Sequence, residues 1–228
     1  MPGLRLVPDF RTRHPGRDGG VTSRPRRRSL VTELETPRLT LRPLTPSDFP
    51  QWSSVRVGSG EWLTRWEPRR PPGAPDPGRD PRAFAARCAA REREARMGTG
   101  HSFGLFVKKP RSLFVGMINI SSIQRGPFQS GTVGYWIDER WAGRGLVPEG
   151  LVAVLGFAFE DLELHRIEIG IIPINRSSRR VVEKLGIREE GTALRMLKID
   201  GRWEDHVRYA MTAEEWELRK SELWGLVS

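Results

Sequence analysis

The stretch Trp136–Leu151, WIDERWAGRGLVPEGL, constrains the fold of this chain more than any other. It places Gly143 and Gly145 between a run typical of a β-strand and an apolar run with helical spacing. The first N–H groups of a helix have no intrahelical partner and carry partial positive charge from the helix dipole. Glycines let such a turn curl around an anion without interference from Cβ atoms. The stretch therefore predicts a strand, an anion-binding turn and a helix, with Arg140 and Arg144 adding charge-assisted contacts.

The length and cysteine content bound the class of protein. A chain of 228 residues suits one domain of ordinary size with appendages. No apolar run reaches the roughly 18–20 residues of a membrane span, and the N-terminal segment lacks the apolar stretch of a secretory signal. The single cysteine, Cys88, excludes an internal disulfide and a multi-cysteine zinc site. We therefore expect a cytoplasmic protein without membrane partners and without a metal site.

The net charge of +10 is concentrated at the N-terminus, where residues 1–30 hold eight arginines against two aspartates. We expect a disordered basic arm over this range. Such an arm attracts phosphate-rich partners weakly and in a salt-dependent way, but it lacks the interleaved aromatic residues of a nucleic-acid-reading module. Nucleic acid is therefore not expected as the main partner, although tethering to RNA or a ribosome could accompany another function.

The rest of the chain predicts an α+β domain over residues 31–212, followed by a C-terminal helix over 213–228. Strand and helix patterns follow one another as strand, helices, three strands, helix, strand, helix and two strands. The dipeptide Asp200–Gly201 predicts a β-hairpin, and Thr212 with Glu215 predicts a capping box. We expect a central mixed, mostly antiparallel sheet of about seven strands flanked by helices.

The spacing Arg140-x-x-Gly143-x-Gly145 resembles the R/Q-x-x-G-x-G/A motif of the GNAT superfamily of N-acetyltransferases. It matches neither the Walker loop nor the dinucleotide fingerprint. RLTLRPLTPSDF and GTVGYWID resemble the first and fourth strands of that superfamily, and LHRIEIGIIPINRSSRRVVEKLGIREEG and EWLTRW resemble segments of its RimJ/RimL branch. The resemblance covers about residues 31–212 and implies a GNAT fold whose sheet is splayed between its fourth and fifth strands.

The resemblance also implies that acetyl-CoA is the cosubstrate and that backbone amides of the turn bind its pyrophosphate. In the family the pantetheine arm runs between the splayed strands, which here would be Tyr135–Asp138 and Ile167–Ile172. A backbone N–H of the first strand would then stabilise the oxyanion, although core packing explains Tyr135 and Trp136 equally well. The residues expected to bind acetyl-CoA are Trp136, Ile137, Asp138, Arg140, Gly143, Arg144, Gly145, Leu146 and Asn175.

Asn175 and Ser178 begin the helix after the fifth strand. The family often uses an asparagine at this position to bond the pantetheine arm, and Asn175-x-x-Ser178 matches the RimL-type pattern in which the serine protonates the leaving thiolate. Many superfamily members use a tyrosine further along that helix, where this chain has Val181 and Val182. Ser178 is therefore the expected proton donor, with a helix cap as the alternative role for both polar residues.

The general base is less constrained. A base must reach the acceptor ammonium directly or through one water, and an α-amine has a pKa of roughly 8, so that a modest carboxylate suffices. We rank Glu139 and Glu67 first. The other titratable residues in segments that could face the cleft are Glu61, Asp138, Glu149 and His101.

The acceptor is expected to contact Trp62 and Trp66, which precede a proline-rich loop, and Asn119 on the third strand. Core packing is the alternative for the tryptophan pair. The resemblance implies acetylation of a protein N-terminal α-amine, as in the alanine or serine acetyltransferases of ribosomal proteins, by a monomer or homodimer. The alternatives are a small amine, such as an aminoglycoside or polyamine, and a non-catalytic regulatory module that binds acetyl-CoA. Polycations favour an acidic cleft, and this domain is mildly basic.

Overall fold

The computed structural model describes residues 33–109 and 111–227, so the basic arm expected over residues 1–30 lies outside the described residues. Its strands are Leu34–Glu35 (β1), Leu39–Arg42 (β2), His101–Val107 (β3), Leu113–Gln124 (β4), Ser130–Ile137 (β5), Arg166–Ile171 (β6), Arg188–Ile199 (β7) and Arg202–Thr212 (β8). Its helices are Phe49–Gly58 (α1), Gly60–Thr64 (α2), Pro81–Met97 (α3), Leu146–Gly156 (α4), Arg176–Lys184 (α5) and Ala213–Gly225 (α6).

The expected α+β class with a mixed, mostly antiparallel sheet is confirmed. The strands form one sheet in the order β1-β2-β3-β4-β5-β6-β8-β7, and the described part of the chain has eight strands instead of about seven. The additional strand is β1, which pairs with β2 through Leu34 and Leu41. A strand of two residues is too short to produce a periodic signal in the sequence.

The sheet opens between β5 and β6, its parallel neighbours. Their pairing runs only from Ser130 to Thr132 on β5, opposite Arg166–Glu168 on β6. Beyond Thr132, β5 continues to Ile137 while paired only with β4, and β6 continues while paired with β8. The splay implied by the GNAT resemblance is therefore present, between β5 and β6 in this numbering.

Apolar residues pack on both faces of the sheet and hold the elements around this opening. The larger cluster joins the sheet to α4 and α6, and every residue of α4 is buried. The smaller cluster lies on the other face under α1 and α3, and it includes Trp52, Met117 and Cys88, which packs as an apolar residue. The N-terminus of α4 is thus fixed at the opening of the sheet.

Local sequence signals set the ends of several elements. Asp80 accepts a hydrogen bond from the Arg82 N–H at the start of α3, and Thr212 and Glu215 form the expected capping box of α6. Asp200 and Gly201 have positive φ values of 44° and 85°, as the turn between β7 and β8 requires. None of the helices in residues 33–109 and 111–227 is long and apolar enough to cross a bilayer.

Candidate active site

A cleft of about 1510 Å³ opens where β5 and β6 diverge. Its walls come from the N-terminus of α4, the start of α5, the end of β5, and α2 with the loop that follows. Asp138, Glu139 and Arg140 are not among the residues that line it. The expected site residues that do line it are Trp62, Trp66, Glu67, Asn119, Trp136, Ile137, Gly143, Arg144, Gly145, Leu146, Asn175 and Ser178.

The glycine-rich turn has the backbone conformation that only glycine adopts readily. Gly143 and Gly145 both have φ of +75°, in the left-handed region where side chains cause strain. Gly145 is the N-cap of α4 and has no side chain to cap it. The N–H groups of Leu146 and Val147, the first of the helix, therefore remain available at the wall of the cleft. This arrangement suits an anion.

Three cationic side chains surround the turn. A Cβ atom added to Gly145 would lie 3.5 Å from a terminal guanidinium nitrogen of Arg38 and 4.0 Å from Nζ of Lys184. The guanidinium carbon of Arg144 lies 4.6 Å from the centroid of the Trp141 ring. Positive charge therefore converges on the uncapped helix N-terminus, which fits the doubly charged pyrophosphate of coenzyme A.

Glu149 holds Arg38 beside the turn. Its carboxylate is fully buried and accepts hydrogen bonds from the Thr36 hydroxyl at 2.6 Å, the Arg38 N–H at 2.8 Å and Arg38 Nε at 2.6 Å. Arg38 Nη1 also donates to the Arg144 carbonyl at 3.0 Å. Glu149 is therefore a positioning group for Arg38, and its occupied oxygens make it a poor general base.

Asp138 and Arg140 are paired with each other outside the cleft. Arg140 Nε donates to both Asp138 oxygens, at 3.1 and 3.0 Å, and the Ser59 hydroxyl donates to Oδ1 at 3.0 Å. Burial raises the pKa of the Asp138 carboxyl, but these hydrogen bonds outweigh it, so that the net shift is downward. Both side chains border a separate hollow of about 330 Å³. The spacing of two residues brings the charges together, and this pairing holds the Arg140 guanidinium beside the hollow and outside the cleft lining.

The two carboxylates ranked first as bases differ in position. Glu139 lies in a short 3₁₀ turn, is exposed, and is not among the cleft-lining residues. Glu67 lines the cleft, and its two oxygens accept hydrogen bonds from Arg56 at 2.8 and 2.6 Å. His101 also lies outside the lining, with its ring edge-on to Phe157 at 5.0 Å. Glu67 is therefore the only one of these groups that reaches the cleft, and it does so already paired with a cation.

A pair of hydroxyl groups lies at the start of α5. Asn175 Oδ1 accepts the Ser178 N–H at 3.1 Å and caps the helix. The Ser178 hydroxyl donates to Tyr135 Oη at 3.1 Å, and the Tyr135 hydroxyl donates to the Ser178 carbonyl at 3.0 Å. Burial raises the pKa of Tyr135 well above its ordinary value, against the effect of the hydrogen bond from Ser178. A tyrosyl hydroxyl, which α5 lacks at Val181 and Val182, thus lies beside α5 on β5, in protonated form.

The wall opposite the turn is aromatic. The guanidinium carbon of Arg65 lies 5.3 Å from the centroid of Trp62 and 5.1 Å from that of Trp66. Both rings are half-buried, line the cleft, and belong to neither apolar cluster. The structure therefore places the tryptophan pair on the cleft wall and not in the core.

The loop after α2 is joined to the turn between β7 and β8. The Asp200 N–H donates to the Glu67 carbonyl at 3.0 Å, and Arg69 Nε donates to Asp200 Oδ1 at 2.6 Å. Both side chains of the Arg69–Asp200 pair are exposed. This contact, which we name the loop–hairpin link, connects segments 131 residues apart in the sequence.

Comparison with known proteins agrees with this geometry. The family model described as an acetyltransferase (GNAT) domain matches residues 38–188, which include the turn, the splayed strands and the start of α5. The chain belongs to the GNAT acetyltransferase family. The expected RimJ/RimL resemblance, the N-acetyltransferase activity and the use of acetyl-CoA are thereby confirmed.

Relatives of this GNAT enzyme include acetyltransferases of ribosomal proteins. The ribosomal protein uS5-alanine N-acetyltransferase of Escherichia coli is 31% identical over 183 residues, which are 80% of this chain and 92% of that protein. "Probable N-acetyltransferase YjcK" of Bacillus subtilis is 41% identical over 106 residues, 46% of this chain and only 58% of that protein. RimJ of Mycobacterium smegmatis in complex with CoA-disulfide superposes with a TM-score of 0.75 at 31% identity, covering 85% of this chain and 91% of that one.

Sequence reasoning missed four groups that the structure places at or behind the site: Arg38, Lys184, Glu149 as the anchor of Arg38, and Tyr135 as the partner of Ser178. Arg38 contacts Arg144 across 106 residues of sequence, and Tyr135 contacts Ser178 across 43. Neither spacing belongs to a local motif. The alternation of β5 predicts which face Tyr135 occupies but not which helix covers that face.

Proposed function

We propose that this enzyme acetylates the N-terminal α-amine of a protein, in the cytoplasm. One observation carries the choice of acceptor: Glu67 is the only carboxylate among the residues that line the cleft, and Arg56 already neutralises it. The remaining charged residues of the lining are all basic. A polyamine or aminoglycoside carries several positive charges and finds no acidic partner here. A peptide N-terminus brings a single ammonium, and the uS5-alanine acetyltransferase is a relative that acts on such a group.

The turn before α4 would hold the pyrophosphate of acetyl-CoA. Backbone N–H groups between Gly143 and Val147 donate to its oxygens, while Arg38, Arg144 and Lys184 supply the charge. Asn175 would hydrogen-bond the pantetheine arm with the amide nitrogen that its capping role leaves available. The arm then follows the unpaired edge of β5, where a backbone N–H faces the thioester oxygen.

Ser178 and Tyr135 would deliver a proton to the sulfur. As the Ser178 hydroxyl gives its proton to the sulfur, its oxygen would take the proton of the Tyr135 hydroxyl, and Tyr135 would regain a proton from water in the cleft, which carries the proton released by the amine. The leaving thiol has a pKa near that of cysteine, about 8.5, so this assistance is modest. The proton released by the amine passes through water, with Glu67 as the carboxylate on the cleft wall.

Transfer of labelled acetyl groups tests this proposal. The probes are a short peptide that begins with alanine and contains one internal lysine, the same peptide with a blocked N-terminus, and spermidine. Mass spectrometry should find the label on the α-amine of the first peptide and on neither control. Label on spermidine but not on the peptide would favour the small-amine alternative, and acetyl-CoA binding without any transfer would favour a regulatory module. Labelling in a cell lysate then identifies the natural acceptor.

A further inference from the structure

The side chain of Asn119, on β4, contains an unpaired buried oxygen. Asn119 Oδ1 is shielded from solvent and has no hydrogen-bond partner, a condition shared by no other buried side-chain polar atom in residues 33–109 and 111–227. Native proteins rarely leave a buried acceptor without a donor. We therefore expect the missing hydrogen-bond donor of Asn119 Oδ1 to come from a bound ligand.

The register of the sheet shows which way Asn119 faces. Asn119 pairs with Gly134 on β5, and Met117 pairs with Trp136. Met117 and Trp136 belong to the cluster under α1 and α3, so Asn119 and Gly134 share that face. Tyr135 lies on the opposite face, where it meets Ser178 of α5. Asn119 and the hydroxyl pair therefore approach the cleft from opposite faces of the sheet.

Space for a ligand lies directly beside Asn119. Gly134 has no side chain, and nothing lies within 4 Å of a Cβ atom added to it. Both residues line the cleft. Trp62 and Trp66 line the same cleft from α2 and the loop after it. A group that enters along the aromatic wall thus meets the uncharged amide of Asn119 at the floor of the cleft, and rotation of that amide about its soft Cβ–Cγ torsion brings the shielded oxygen to the group.

We propose that Asn119 Oδ1 accepts a hydrogen bond from the acceptor's α-ammonium and positions its nitrogen on the face opposite Ser178 and Tyr135. This inference rests on the proposed function, because it takes the acceptor to be an α-amine. A neutral amide oxygen holds both the ammonium and the amine, whereas a carboxylate would raise the pKa of the ammonium and oppose its loss of a proton. As the N–C bond forms and the C–S bond breaks, nitrogen releases its proton to water on the Asn119 face, and sulfur receives one from the hydroxyl pair on the other.

Calorimetry on the full chain saturated with coenzyme A tests this inference without requiring turnover. The probes are an alanine-initiated peptide and its desamino counterpart, which carries propionyl in place of alanyl. Wild type should bind the amino peptide at least about tenfold more tightly, since the hydrogen bond involves a charged donor. Asn119→Ala should lose that preference, and Asn119→Asp should keep it. Ser121→Ala, which removes a hydroxyl from the same face of β4 outside the cleft lining, should behave as wild type.

The pH dependence of kcat separates this role from a structural one. Asn119→Asp places a carboxylate beside the ammonium and raises its pKa, so the rise of kcat with pH should move to higher pH than in wild type. A residue that only stabilises the fold would change the melting temperature and leave the position of this rise unchanged.

Two results would overturn the inference: equal affinity of wild type for the amino and desamino peptides, or an undiminished preference in folded Asn119→Ala. Should Asn119→Ala fail to fold, Asn119→Asp decides, because loss of the preference in that variant contradicts the proposed hydrogen bond. A clear preference for the amino peptide without any acetyl transfer to it would contradict the proposed function and leave the amine site supported.

Discussion

The two sides of the cleft are built by different means. The acetyl-CoA side consists of the turn at Gly143–Val147, and behind it the fully buried Glu149 fixes Arg38. The acceptor side consists of the segment Trp62–Pro68, and the turn between β7 and β8 contacts this segment from outside the cleft lining. Its tryptophans are half-buried, and its link to the hairpin is an ion pair with side chains 68% and 52% exposed. In the proposed function, one side recognises its ligand with backbone held by a core helix, and the other with side chains near the surface.

This difference predicts that the acetyl-CoA side tolerates fewer substitutions than the acceptor side. A backbone site in left-handed conformation presents one shape and allows few substitutions. A wall of half-buried aromatic rings and exposed arginines accepts substitutions with little cost to the fold. We therefore expect that variants of the acetyl-CoA side change affinity for the cosubstrate, and that variants of the acceptor side change KM for the acceptor.

The largest effect is expected at the junction of the two sides. Ser178→Ala should lower kcat by about ten- to a hundredfold with acetyl-CoA affinity nearly unchanged, because the hydroxyl acts only on the leaving thiolate. Tyr135→Phe should lower kcat less, since Ser178 remains. Because burial raises the pKa of Tyr135, the hydroxyl pair should stay protonated, and wild-type kcat should not fall up to about pH 10.

Steady-state kinetics checks this prediction, and Ser177→Ala, at the preceding position on α5, is the control. If Ser178→Ala keeps the wild-type kcat and only its melting temperature falls, Ser178 is a helix residue without a chemical role.

A substitution on the acceptor side should change binding of the acceptor without changing binding of acetyl-CoA. Trp66→Ala should raise KM for a peptide acceptor by about tenfold, as expected for an aromatic residue at a binding surface, with unchanged affinity for acetyl-CoA. The melting temperature should change little, because Trp66 lies outside both apolar clusters. Trp203→Ala, which removes an exposed ring from β8, is the control. A large fall in melting temperature for Trp66→Ala would show that the ring is structural.

The anchor of Arg38 allows a subtler test of the acetyl-CoA side. Glu149→Gln keeps acceptors for Thr36 and the Arg38 N–H but removes the charge that holds the guanidinium. Affinity for acetyl-CoA should fall by about three- to tenfold, because an unanchored cation loses preorganisation. Calorimetry measures this effect, and Glu35→Gln, at an exposed pair with Lys108, is the control. A larger change in acceptor KM than in acetyl-CoA affinity would contradict the division of the cleft.

The smallest effect is expected from the loop–hairpin link. Asp200→Asn should raise acceptor KM only about two- to threefold, because exposed ion pairs contribute little. The difference from wild type should shrink as salt is added. Asp205→Asn, on β8 outside the cleft lining, serves for comparison. No change at low salt would show that the link does not shape the acceptor entrance.

The sequence predicted those features that depend on local spacing. The hairpin at Asp200–Gly201 and the capping box of α6 each reflect residues within four positions of each other. The glycine turn was predictable for the same reason, since left-handed backbone leaves a mark in the residue type itself.

Features that depend on contacts between distant segments could not be predicted from local spacing. Arg140 stands beside the turn and was expected to contact phosphate, but it pairs with Asp138, whereas Arg38 arrives from 106 residues away. The link between Tyr135 and Ser178 likewise depends on how α5 packs over β5. The sequence pattern shows the face of each element and not the element that covers it.

The measurement that tests the central claim most directly is the affinity of Gly145→Val for acetyl-CoA by calorimetry. The substitution places a branched side chain at φ +75°, beside Arg38 and Lys184. Gly73→Val, at the same φ in a loop with open space around it, controls for backbone strain. We expect Gly145→Val to bind at least tenfold more weakly, about 1.4 kcal/mol or more, and Gly73→Val to bind as wild type does. Wild-type affinity in a folded Gly145→Val protein would contradict the claim that this turn binds acetyl-CoA.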